Sequence, residues 1–317
     1  MKAMRDAWGQ ALADEANRDP RIVVLDGDLG NSTKADKFAA AHPESFLQMG
    51  IAEQNLVGVA AGLASVGYIP WTSTFAVFLT HRAADPIRVL VAQSHANVKI
   101  AGSYTGLLIG AVGKTHLDVQ DIAIMRAMPG MTVLAPADEA ELLSIVKWAN
   151  AYDGPVYLRL TRDPGPDLFG PGHRFELGRV HTLRRGSRVA LVSTGPQTVR
   201  TLAAADLLLA DHGVDPTVLH LPTIKPVDEA GLLAALAGHE LVVTTEEHTV
   251  LGGLGGLVAE ILTAAGPSPA VERIGIDDTW GESADNAYLL AKHGLSAERI
   301  TERTLARLGS PVASGVS

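Results

Sequence analysis

Short runs of β-branched and other apolar residues recur along the chain, separated by longer stretches rich in Ala and Leu. In the first half the runs Arg21–Asp28 (RIVVLDGD), Ile69–Ala76, Asn97–Tyr104, Met131–Ala137 and Val156–Arg162 predict strands. They are apolar at most positions, as strands of a parallel sheet covered on both faces are. Helical spacing lies between them. Met4, Ala7, Trp8 and Leu12 predict an N-terminal helix, and Asp138–Ala149 (DEAELLSIVKWA) predicts another. That second helix opens with Asp138 as N-cap and Glu141 three residues on, a capping-box spacing. Leu56–Gly67 is apolar or small almost all round and predicts a helix packed tightly on both sides. Alternating β and α elements predict an α/β fold with mostly parallel sheets.

The pattern breaks after Arg162, where Pro164, Pro166, Pro171 and several glycines interrupt it. A second α/β unit follows, with strands expected at Arg188–Ser193, Thr217–Leu221, Leu241–Thr245 and Val271–Ile276. The expected organisation is a first domain over 1–165, a linker over 166–186, a second domain over 187–310 and a flexible tail over 311–317. No internal repeat is evident.

Composition narrows the function. The 317 residues are 47% hydrophobic, enough for two ordinary cores. A net charge of −9 argues against a nucleic-acid binder, which meets phosphates with a Lys/Arg excess. There is no cysteine, so disulfides, thiolate metal sites and thiol nucleophiles are excluded. The N-terminal stretch carries charges throughout and lacks a signal-peptide core. No stretch is long and apolar enough to span a bilayer. The expected location is cytoplasmic.

Several short stretches carry candidate chemistry. Glu53 lies in MGIAEQNLVGVAAGLASVG, where it is either a carboxylate favoured by the helix N-terminus or a buried acid facing a ligand ring. GLLIGAVGKTHLD (106–118) suggests a ligand-lining turn. It is not a triphosphate loop, because that spacing requires glycine where Leu108 stands. Phe75 and Phe78 are three apart in TSTFAVFLTHR, as core residues often are. GGLGG (252–256) does not spell a dinucleotide loop and is expected to permit close helix packing.

The order of these motifs is more specific than any one of them. GIAEQN, TFAVF, GKTH, MRAMPGMTVLAPAD, TIKP, EEH-x-x-x-GG and GES, in that sequence, resemble the transketolase family from about Lys2 to about Leu308. The resemblance implies a pyrimidine-binding domain of thiamine-diphosphate enzymes followed by a transketolase C-terminal domain. It implies that Glu53 is the acid hydrogen-bonded to N1′ of the cofactor's aminopyrimidine; a carboxyl kept in a dry apolar cleft can donate a hydrogen bond at neutral pH. Phe75 and Phe78 match the aromatic pair that packs the pyrimidine. His81 and Asp28 match positions near the cofactor. His116 matches the histidine that contacts donor oxygens. Ser32 and Arg162 fall near phosphate-holding positions. Two positions depart from the family. Val112 stands where an aspartate usually reads the donor's hydroxyl, and Tyr104 where a phosphate-contacting histidine is common. A valine leaves such a hydroxyl unpaired, which suggests a donor or acceptor outside the ordinary pentose phosphates.

The family's diphosphate and metal site uses Gly-Asp-Gly followed by Asn. Here the nearest string is Asp26-Gly27-Asp28, and no residue of this chain is assigned as a metal ligand. The resemblance therefore implies a partner: an N-terminal transketolase subunit that holds the diphosphate and Mg²⁺, in an α2β2 hetero-tetramer. The implied activity is transfer of a two-carbon ketol or acyl unit from a ketone to an aldehyde. The alternatives are a beta subunit of a 2-oxoacid dehydrogenase decarboxylase component, or a non-catalytic scaffold subunit.

Overall fold

A computed structural model describes residues 3–309; the expected tail at 311–317 lies outside them. Among the described residues, twelve strands form two sheets. In chain order they are β1 (Ile22–Asp26), β2 (Phe46–Gln48), β3 (Ile69–Phe75), β4 (Lys99–Ser103), β5 (Thr132–Leu134), β6 (Val156–Leu160), β7 (His181–Arg184), β8 (Val189–Ser193), β9 (Thr217–His220), β10 (Thr223–Lys225), β11 (Leu241–Thr249) and β12 (Ala270–Ile276). The first sheet has the order β10-β5-β6-β4-β3-β1-β2, and the second β12-β11-β8-β9-β7. Each is parallel except for one antiparallel edge strand, β10 in the first and β7 in the second. The expected α/β class with mostly parallel sheets is what the chain forms.

β1, β3, β4 and β6 are buried at every position. That explains their continuous apolar runs, since helices cover both faces. The Glu139–Ala151 helix is capped as its spacing predicts: the Asp138 carboxylate accepts from the Glu141 N–H at 2.9 Å. One apolar cluster joins the two units, with Val133, Tyr157 and Ile224 of the first sheet packed in the same core as Val192, Leu219 and Val242 of the second.

Three strands escape the sequence pattern. β2 and β10 have three residues each, too few to show a period. β7 lies inside the stretch expected to be linker, where His181–Arg184 pairs antiparallel with β9 as an edge strand. β10 crosses between units: the TIKP segment leaves the second unit and adds itself to the first sheet beside β5. A further departure concerns the Glu53 helix, which runs Glu53–Ser65 rather than 56–67. It is not packed on both sides. Leu56, Val57 and Ala60 are buried, whereas nothing among the described residues lies within contact of the side-chain position of Gly62. Its small residues make an open face, not a second buried one.

Candidate active site

The carboxyl ends of β1, β3, β4 and β6 share one edge of the first sheet. Asp28 follows β1, Phe75 ends β3, Tyr104 follows β4 and Arg162 follows β6. Parallel α/β sheets bind ligands beyond this edge, where loops diverge and helix N-termini converge.

Glu53 is the first residue of its helix and is 4% exposed. The N-cap position is Ala52, with no side-chain cap. Glu53 does not cap the helix either: its carboxylate accepts a hydrogen bond from Arg82 Nη1 at 3.0 Å. The Arg82 guanidinium also stands 4.2 Å from the centre of the Phe78 ring. Its backbone carbonyl accepts from Gln54 Nε2 at 3.0 Å. Arg82 and Phe78 bound a π-helical turn, Phe78–Arg82, a widened form that recurs at functional sites. Ala52, Glu53, Gln54, Asn55, His81 and Arg82 line an open cavity of about 590 Å³.

Behind this cavity lies Asp118. Burial pushes its carboxyl up to about 7 and the neighbouring Asp121 adds to the rise, against hydrogen bonds from the Thr80 hydroxyl at 2.6 Å and the Gln120 N–H at 3.0 Å. His81 Nε2 approaches Asp118 Oδ1 at 4.0 Å. Burial lowers the His81 imidazole, so near neutrality this approach has little ion-pair character.

A second group of site residues packs around aromatic rings. Phe75 stacks on Phe78 at 5.8 Å and on Tyr104 at 4.1 Å, and His116 meets both phenylalanines edge-on at 5.9 and 5.6 Å. The Tyr104 hydroxyl bonds Arg5 and, at 3.3 Å, the Ser32 carbonyl. Arg5 also donates to that carbonyl at 2.7 Å. Burial works against the charge on Arg162, but hydrogen bonds to Tyr104 and Asp163 hold it. Tyr104, Ser32, Arg162 and Arg5 thus form one positively charged corner.

Two expected residues stand outside these groups. Val112 is half exposed at the end of the Gly110–Val112 turn. Asp28 is exposed, and among the described residues its side chain makes no hydrogen bond or ion pair; only its N–H is held, by Gln48. The buried carboxyl beside that loop is Asp26, the last residue of β1, which accepts from the Leu29 N–H at 2.9 Å and is pushed up by burial.

The second unit buttresses the loop between Tyr104 and His116. Glu247 accepts from the N–H groups of Leu107 and Leu108 at 2.7 and 3.2 Å, and Arg200 holds its other oxygen at 2.6 Å. Ser283 donates to the Ala111 carbonyl at 2.7 Å, and Asn286 accepts from the Gly110 N–H at 3.1 Å. Glu246 accepts from the Leu254 and Gly255 N–H groups at the start of the Leu254–Ala264 helix. A Cβ on Gly253 would lie 2.0 Å from that carboxylate, so the glycine cluster serves close approach, as expected.

The family description "Transketolase, pyrimidine binding domain" matches residues 1–166, and "Transketolase, C-terminal domain" matches 178–300. The chain belongs to the transketolase family. It is 39% identical to the 6-deoxy-6-sulfo-D-fructose transketolase subunit SqwH of Clostridium sp., over 94% of this chain and 92% of that one. It is 37% identical to a protein of Methanocaldococcus jannaschii named as a transketolase C-terminal section, over 96% of both. Among solved structures, a split-gene transketolase described as an inactive β4 tetramer is 44% identical, with a TM-score of 0.87 over 96% of this chain and 98% of that one. These similarities support a split transketolase subunit and do not favour a decarboxylase beta subunit.

Transketolases depend on thiamine diphosphate. The residues here fit its flat aminopyrimidine: a buried carboxylate opens on a cavity whose Arg82 wall rests on the Phe78 ring, itself stacked with Phe75. Sequence reasoning missed Arg82, Arg5 and Asp118. Arg82 carried a signal, since it directly follows His81 in THR. Arg5 carried none, because its partner Tyr104 is 99 residues away.

Proposed function

We propose that this chain is the pyrimidine-binding subunit of a two-subunit transketolase, transferring a two-carbon unit from a ketone donor to an aldehyde. The carrying observation is the Glu53 carboxylate, buried at a helix start yet open to a cavity and unused as a cap. When bound, thiamine diphosphate supplies the electron sink for breaking and making the carbon–carbon bond. Glu53 holds a proton at the ring nitrogen that faces it. Phe75 and Phe78 stack the ring and exclude water. His81, which lines the same cavity, would meet the ring's amino group. His116, edge-on to both phenylalanines, would contact donor oxygens and stabilise charge that develops there. Asp28, exposed in the loop just beyond β1, would reach the cofactor from outside the cavity. Val112 leaves the donor's hydroxyl unread, and Arg5, Arg162, Tyr104 and Ser32 receive an anionic tail. A modified sugar with such a tail, as in the name of the Clostridium relative, fits this corner.

The diphosphate and Mg²⁺ are held by an N-terminal subunit carrying Gly-Asp-Gly and Asn, in an α2β2 assembly located in the cytoplasm. The open face of the Glu53–Ser65 helix supports a partner there: Gly58 and Gly62 lie one turn apart, with Ile51, Val66 and Leu90 exposed around them. No helix of the described residues is long and apolar enough to cross a membrane.

The test is calorimetry of thiamine diphosphate with this chain alone and after mixing with that subunit and Mg²⁺. Tight binding only in the mixture is expected. Glu53→Gln should bind within about tenfold of the parent and lose turnover by at least about a hundredfold. Turnover by the Glu53→Gln complex at parental rate defeats the assignment.

A further inference from the structure

Glu141, His173 and His181 come together where the two units meet. Glu141 sits in the first turn of the Glu139–Ala151 helix, His173 on the connecting segment, and His181 at the start of β7. One nitrogen or oxygen atom from each lies within 4.8 Å of the others, with Glu141 Oε1 3.6 Å from His173 Nε2. Glu141 Oε1, His173 Nε2 and His181 Nε2 are all buried and have no hydrogen-bond partner. A buried polar atom left unpaired is costly, so such atoms are normally satisfied. Three that face one another lack a single common partner.

The surroundings fix this arrangement. The other oxygen of Glu141 accepts from His220 Nε2 at 2.9 Å and from the Ala137 N–H at 2.7 Å. His220 Nδ1 in turn is 2.8 Å from the Thr198 hydroxyl. The connecting segment is pinned by Asp138, whose Oδ2 accepts from the Leu168 and Phe169 N–H groups at 2.6 Å each. Phe169 then stacks on the His173 ring at 4.1 Å. Such outer partners orient ligands in metal sites.

We propose that Glu141, His173 and His181 bind a divalent transition-metal ion, zinc by preference, with water in the fourth position. Two imidazoles and a carboxylate are a zinc donor set, whereas Mg²⁺ and Ca²⁺ take oxygen ligands. Zinc bonds of about 2.0–2.1 Å place tetrahedral ligand atoms about 3.3 Å apart. The 3.6 Å pair is nearly at that spacing, and every pair lies within 4.8 Å, so binding draws the ligands together by no more than about 1.5 Å. A cavity of about 500 Å³, lined in part by His173, Phe169 and Lys147, gives the ion and its water an entry path. The three ligands are scattered along the chain in no recognisable spacing, which hides the site from the sequence. Its role is a clamp: one ion ties a helix of the first unit to the connecting segment and the edge strand of the second.

The full chain is stripped with a chelator and titrated with Zn²⁺ by calorimetry, and with Co²⁺ followed by visible absorption. One ion per chain is expected, with a tetrahedral Co²⁺ spectrum that Zn²⁺ bleaches and Mg²⁺ does not. His173→Ala and His181→Ala should each weaken Zn²⁺ binding by about tenfold or more, while the exposed His212→Ala leaves it unchanged. Saturating zinc should raise the thermal midpoint of the parent by about 5 °C and that of the variants little. Far-UV dichroism checks that variants fold; His173→Gln replaces any that do not. No stoichiometric ion at 100-micromolar-order zinc, about the range in which an accessible site must fill, overturns the proposal. So does undiminished binding in the folded histidine variants.

Discussion

Asp118→Asn tests the electrostatics behind the candidate site. The parent carboxyl is raised from 3.8 to about 7, first by burial and then by Asp121. Below pH 4 it is protonated folded and unfolded, and costs nothing. Between pH 4 and 7 the native state keeps a proton that the unfolded state has lost, so stability falls as pH rises. The slope from this group reaches about 1.4 kcal/mol per pH unit, and the total is about 4 kcal/mol once pH passes 7. Asparagine removes the charge and keeps the contacts. Its oxygen accepts from the Gln120 N–H, and its amide donates to the Thr80 oxygen while Thr80 donates to the Ala76 carbonyl. Glu246, raised by burial to about 7, and His181 and His248, lowered by burial to about 4, remain in both proteins, so their contributions cancel in the difference between variant and parent. Urea unfolding followed by far-UV dichroism at pH 5, 6, 7 and 8 measures this. At pH 5 the variant should be the more stable by no more than about 2 kcal/mol. At pH 8 it should be the more stable by about 2–4 kcal/mol, with an unchanged denaturant slope. Parallel stability curves across this range would refute the reasoning, because they would mean that Asp118 is ionised and satisfied where it sits.

Three further outcomes follow from single contacts. Arg159→Met leaves Asp121 buried without the guanidinium that meets it at 2.6 and 3.0 Å, and should lower unfolding stability by about 3–5 kcal/mol in the same urea assay. Arg82→Ala removes the cation that occupies Glu53; as Arg82 is half exposed, the pair is worth about 1 kcal/mol or less, and thiamine diphosphate affinity of the assembled enzyme should rise by up to about fivefold. Weaker affinity would instead make Arg82 a cofactor ligand. Tyr104→Phe keeps the stack on Phe75 but frees Arg5, and should raise KM for phosphate- or sulfonate-bearing donors by about fivefold with kcat unchanged.

The fold was legible wherever burial imposed a pattern. β1, β3, β4 and β6 announce themselves because both faces are covered, and Asp138 because its cap spacing is local. The three-residue β2 and β10 have no period to read, and β7 is an edge strand whose alternation is short. The site divides in the same way. Glu53, Phe75, Phe78 and His116 lie in dense motifs, and the structure gathers them at one sheet edge. Arg5 and Asp118 belong to it through contacts between distant segments, which no local spacing encodes. The Glu53 helix was misjudged for the converse reason. A run of small residues reads as buried on every side, but sequence does not say which chain does the burying.

The motifs of the second unit carry the architecture one step further. TIKP, EEH and GES contribute no group to the Glu53 cavity. Instead, Lys225 grips the Arg126 and Met128 carbonyls, Glu247 grips the Leu107 and Leu108 amides, and Ser283 grips the Ala111 carbonyl. Each staple lands on the segment from Leu107 to Met128, which carries His116 and Asp118. Between the buried anchors Ile109 and Leu117, residues Ala111, Val112, Lys114 and Thr115 are exposed, so this stretch would otherwise open readily. The second unit therefore acts on the candidate site by restraining the loop that presents His116. Loosening a staple, for instance at Ser283, should disturb donor handling before it disturbs cofactor binding, because Glu53 and Arg82 are held by different elements.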